Sequence, residues 1–227
     1  MPVQFLSEAE HKSLNRFPNE ISSEDLNRFF LLSSRELKVL KQLRADHNRL
    51  GFALQLCCLR YLGFFPEELT LPKLAIDYVA QQLNLIPELL AFYGQRSSTQ
   101  RNHQRKIQAL LGYRRASSQD ILCLEEWLTE RALEHNQPLL LFRMACEHLK
   151  QDKILRIGTT ILAKMVSSAR TIAQDINYQS LQPLLTQPLR TWLDGLLEVE
   201  ADWGRTRLSW LQRTPTGIVV YWLKLVI

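Results

Sequence analysis

Arg101, Gln104, Arg105 and Gln108 stand at i, i+3, i+4 and i+7, the spacing that aligns side chains along one helix face for two turns. Arginine offers two parallel N–H donors that match guanine O6 and N7, and glutamine matches adenine N6 and N7 in the same bidentate way. Such a face can read base edges in the DNA major groove. Arg96 and Lys106 flank it, and Arg114 and Arg115 follow the predicted helix end, as cations that could neutralise phosphates. Thr99, with the free N–H groups of the first turn, could take a phosphate as well. The same pattern is also that of a solvated basic helix face, which solubility alone permits. Against this stands the charge distribution: residues 94–115 hold six basic side chains and no Asp or Glu. Solubility favours mixed signs, whereas an anion-binding surface excludes carboxylates.

Other candidates carry weaker chemistry. Arg49 and Arg60 are eleven residues apart, so on a helix they lie within about 20° of each other and about 16 Å apart along the axis. They could meet two phosphates or pair with acids of their own fold. His47 lies beside no nucleophile or orienting acid at a testable spacing. Thr160 and Lys164 share a face of a predicted helix after "KQDKILRIG", in a helix–turn–helix-like arrangement with an overlong turn, and could approach a DNA backbone. The four cysteines form no C-x-x-C pair, and Cys146 and His148 are two apart, so they point to different faces of a helix. No metal site, cofactor or catalytic constellation is expected. Phosphate-binding glycine loops, H-E-x-x-H and G-x-S-x-G are all missing from the sequence.

The elements that must position these residues are helices. Of 227 residues, 46% are hydrophobic and 22% charged, with only eight Gly and nine Pro and few β-branched runs. Capping signals recur: Ser7 with Glu10, Ser22, and Ser33 with Glu36. Helices are expected from about Asp46 to Gly63, from Pro72, briefly from Pro87, and over about 99–111, 118–135, 138–150, 159–174 and 188–200. Between Leu50 and Leu62 only Gln55 and Arg60 are polar, which predicts a central core helix. The fold class is therefore all-α and multi-helical. The turn-rich "GYRRASSQD" and a change of charge sign divide it into two small helical subdomains, 1–115 and 116–217, ahead of an apolar tail, 218–227. No basic, apolar leader opens the chain and no stretch approaches the roughly 20 apolar residues of a membrane span, so a cytoplasmic protein is expected.

Several ordered blocks carry a family likeness. "FLSEAEHKSLNRFPNEISSEDLNRFF", "DHNRLGFALQLCCLRYLG", "YGQRSSTQRNHQRKIQALLGYR", and later "TTILAKMVSSAR" and "TRLSWLQRTPTG", resemble the N-terminal region of Tn-three family replicative transposases. The resemblance covers about residues 3–217. It implies a helical module that binds double-stranded DNA at the terminal inverted repeats of a transposon. In that family the module precedes dimerisation and catalytic domains, and strand transfer uses an Asp-Asp-Glu triad with Mg²⁺. Those acids lie beyond the blocks matched here, so no residue of this chain is assigned to the triad and no enzymatic activity is expected. The likeness stops at Gly217; a frameshift or premature stop would explain the apolar "IVVYWLKLVI" that follows, as would a lineage-specific C-terminal strand or helix that packs on the core. The alternative is a helical protein-interaction module or inhibitor that associates with full-length transposase.

Overall fold

The computed structural model describes residues 5–95, 97–200 and 204–211. The expected helix starts appear where side chains satisfy the free N–H groups of a first turn. Helix α1 (Glu8–Leu14) opens on Ser7, whose hydroxyl accepts from Glu10 N–H while Glu10 caps Ser7 in return. The short α2 (Ser23–Asp25) is capped by Ser22 and runs into a π-helical segment, Leu26–Phe30. Ser33 and Glu36 form a second reciprocal box at the start of α3 (Ser34–Lys41).

Helix α4 (Asp46–Leu62) is the central helix: every residue from Leu50 to Leu59 is buried. Around it pack the π-helical segment, α5 (Lys73–Leu83), a 3₁₀ segment (Pro87–Phe92) and α6 (Ser97–Leu111). Pro72 is the residue before α5 and not part of its first turn; its carbonyl accepts from Ala75 and Ile76 N–H. Helix α6 stops where Gly112 takes φ +76°, a left-handed conformation that glycine adopts without a Cβ clash, and Tyr113 N–H then bonds back to Gln108.

A second apolar cluster is built from α7 (Ser118–Glu134), α8 (Pro138–Gln151) and α9 (Thr159–Leu181), with Leu6 from the N-terminal segment. Ser117 and Asp120 make a third capping box at the start of α7. The connector between α8 and α9 is not a tight turn. It runs extended, with Arg114 N–H donating to Lys153 and Leu155 N–H donating to Arg114.

By compactness the chain divides between Gln174 and Asp175, and both apolar clusters lie on the N-terminal side of that point. Helix α9 runs past the expected end at 174 to Leu181, because "QDINYQSL" contains no Gly or Pro to stop it. In the C-terminal unit the helix expected over 188–200 is shorter: α10 (Gln187–Gly195) ends at a glycine. A two-residue antiparallel pair follows, β1 (Val199–Glu200) with β2 (Arg205–Thr206), then α11 (Arg207–Leu211). The class is all-α, since β1 and β2 are the only named strands among the described residues. No helix among them is long and apolar enough to cross a membrane. The apolar tail 218–227 lies outside the described residues.

Candidate nucleic-acid interface

Helix α6 is held by two buried residues one turn apart, His103 and Ile107. Ile107 is fully buried in the core around α4. The His103 ring stacks on Tyr93 at 5.7 Å between centroids and meets Phe52 of α4 edge-on at 5.2 Å. Tyr93 Oη lies 3.1 Å from His103 Nδ1. Tyr93 in turn covers Gly51 of α4, where an added Cβ would come within 2.1 Å of the ring. Burial pushes the His103 pKa below its ordinary value, with a smaller contribution from the charge on Lys106. A neutral imidazole thus forms the base on which α6 sits.

Docking through His103 and Ile107 decides which side of α6 faces water. Arg101, Asn102, Arg105, Lys106 and Ala109 are exposed. Gln104 and Gln108 are half-buried, along the edge of the helix nearer the core. The predicted four-residue face is therefore present but rotated, with Arg101 and Arg105 outermost. Neither arginine side chain, nor that of Lys106, has a hydrogen-bond or ion-pair partner among the described residues. Two unpaired guanidinium groups one turn apart are free to meet an anion or a base edge.

The remaining candidates fall into different settings. Arg96 lies outside the described residues, Thr99 is half-buried, and Arg115 is exposed. Arg114 forms a two-pronged ion pair with Asp120, whose carboxylate also accepts from Ser117. Those bonds hold Asp120 well below the usual carboxylate range, Arg114 contributing most. Arg49 pairs with Asp46 at 2.9 Å and donates to the Leu43 carbonyl. Arg60 is engaged inside the fold: it pairs with the buried Glu36 and donates to the Phe29 and Leu31 carbonyls. It thereby closes the end of the π-helical segment. Thr160 Oγ1 sits 3.1 Å from His11 Nε2, and Lys164 is exposed.

Residues 5–169 match the family described as "Domain of unknown function (DUF4158)". The chain belongs to the DUF4158 family. The match takes in the core around α4, all of α6, and the second cluster as far as α9. Over nearly its whole length this DUF4158 chain is also similar to transposases. It is 34% identical over 211 residues to the transposase for transposon Tn501 of Pseudomonas aeruginosa, covering 92% of this chain and 21% of that protein. It is 36% identical over 223 residues to the transposase for transposon gamma-delta of Escherichia coli strain K12, covering 96% and 22%. The transposase for transposon Tn21 of Escherichia coli is 32% identical over 212 residues, covering 92% and 21%. The chain spans about a fifth of the length of these relatives, and the likeness to Tn-three family transposases holds across it.

Two features of helix α6 in this DUF4158 chain are not legible from the sequence. His103 is polar, so hydropathy places it with the outward face, yet its spacing to Ile107 is that of an inward stripe. Asn102 belongs to the exposed strip with Arg101 and Arg105, and only the helix rotation set by His103 brings it there.

Proposed function

We propose that this chain is a double-stranded-DNA-binding module of a transposase and that it recognises the terminal inverted repeats of its transposon. Helix α6 is the reading element, with Arg101 and Arg105 at base edges and Gln104 and Gln108 beside them. Lys106, Arg115 and Arg96, with Thr99 at the first turn, contact phosphates; Arg114 offers the face of its guanidinium left open by Asp120. Lys164 and Thr160, on α9, add outlying backbone contacts, while Arg49 and Arg60 serve the fold first. Strand transfer belongs to catalytic acids outside this chain.

The observation that carries this proposal is the pair Arg101 and Arg105, exposed, unpaired and set in a 22-residue stretch without a carboxylate. Solubility favours surfaces of mixed sign, whereas a polyanion is met best by one without carboxylates. Relatedness to transposases supports DNA as the polyanion. The test is a salt titration on the inverted-repeat duplex of its own element and on a random duplex. With about six phosphates neutralised, log K falls against log salt with a slope near −5, and the inverted repeat is preferred. Salt-insensitive association with intact transposase, without DNA binding, overturns the proposal in favour of a protein-interaction module.

A further inference from the structure

A second concentration of positive charge lies away from α6. A cleft of about 720 Å³ opens within the N-terminal unit, between the side chains of the two apolar clusters. Five cations line it: Arg16, Arg28, Arg143, Lys150 and Arg156. Two of them have work inside the protein. Lys150 pairs with Glu147 at 2.7 Å, and Arg156 lies 3.5 Å over the Phe64 ring while donating to the Leu14 carbonyl and Asn15.

The other three come from separate elements and are exposed: Arg16 after α1, Arg28 on the π-helical segment, and Arg143 on α8. None of their side chains has a hydrogen-bond or ion-pair partner among the described residues; Arg28 lies over the Phe29 ring, 5.1 Å from its centroid. The acids on the cleft are Glu147, already paired, and Asp25. Three like charges brought to one concavity repel each other, and low-dielectric walls such as Phe29, Tyr61 and Phe64 sharpen the field. An anion relieves that repulsion.

We infer that this cleft is a second DNA-contacting surface, in which Arg16, Arg28 and Arg143 grip the sugar–phosphate backbone of the duplex whose bases α6 reads. The inference rests on DNA being the ligand of this chain. The chemistry fits phosphate more closely than base edges, because a guanidinium fork matches two phosphate oxygens and Gln151 is the only amide on the lining. The cleft is too small for a whole duplex, and it admits the edge of one strand. Its contribution is therefore to affinity and register, without sequence preference.

The test is the triple variant Arg16→Ala, Arg28→Ala, Arg143→Ala, measured by fluorescence anisotropy on inverted-repeat and random duplexes over a salt series. Because all three side chains are exposed and make no ion pair among the described residues, and their mutual repulsion goes with them, the thermal midpoint does not fall below that of the parent. Binding weakens by about 30-fold on both duplexes alike, and the salt slope becomes shallower by about 2.7, the value for three phosphates. A control triple, Arg35→Ala, Lys38→Ala, Lys41→Ala on α3, changes the slope by less than 1. Unchanged affinity and slope in the cleft variant, or an equal loss in the control, overturns the inference. Loss of discrimination in an Arg101→Ala, Arg105→Ala variant alongside an inert cleft variant would leave α6 standing and remove the cleft. The reverse outcome removes α6 and leaves the cleft. Binding of a polyglutamate peptide by the parent, with no binding of DNA, overturns both.

Discussion

The ring of Tyr93 occupies the space in which a Cβ at position 51 would have to sit, 2.1 Å from its Cγ. Glycine at 51 therefore lets the segment before α6 lie directly on the backbone of α4, and the same ring stacks on His103. One close approach on the central helix thus sets the seat of the helix that carries the exposed arginines.

Gly51→Ala is accordingly expected to displace Tyr93 and cost about 2 kcal/mol, the middle of the range for overpacked cores. Adding Tyr93→Ala to it should recover part of that loss, since the clash disappears with the ring. Chemical denaturation of the two single variants and the double checks this. Additive losses would mean that the two residues do not meet.

Arg60→Ala leaves Glu36 buried without its cation and two carbonyls without their donor. Removing one member of a buried pair costs about 3–5 kcal/mol. Arg60→Lys rescues little, because one ammonium cannot reach three acceptors in the geometry of a guanidinium fork. Thermal melts give the loss, and DNA titration at low temperature separates it from binding. A folded variant with stability intact and weakened binding would instead make Arg60 a phosphate contact.

His103 supplies a pH dependence. Its pKa is lowered in the folded chain, so below about pH 6.5 the unfolded chain binds a proton that the folded one resists. The contribution to stability is complete above that pH and is lost as the pH falls through the folded value. Thermal midpoints of the parent should fall more steeply from pH 7.5 to 5 than those of His103→Phe. Parallel curves would remove His103 from the account.

Much of this architecture is legible from residue types alone. Ser7, Ser22 and Ser33 mark helix starts, Gly63 and Gly112 mark ends, and the near-continuous apolar run of α4 announces its burial. What stays hidden depends on partners distant in the chain. The rotation of α6 follows from His103 meeting Tyr93 and Phe52, and a polar ring gives no hydropathy signal for that. Arg114 stands in an acid-free run, yet the fold turns its side chain to Asp120 beyond the end of that run. The cleft escapes notice because Arg16, Arg28 and Arg143 are far apart in sequence and converge only when the two apolar clusters pack.

The double variant Arg101→Ala, Arg105→Ala tests most directly whether α6 is the reading helix. Both side chains are exposed and unpaired among the described residues, so stability should change by no more than about 0.5 kcal/mol. Anisotropy titration on the inverted-repeat duplex should show binding weaker by about 2 kcal/mol or more, roughly 30-fold, with the preference over random duplex lost. Parental affinity and preference in a folded double variant would contradict the assignment of α6 as the reading helix.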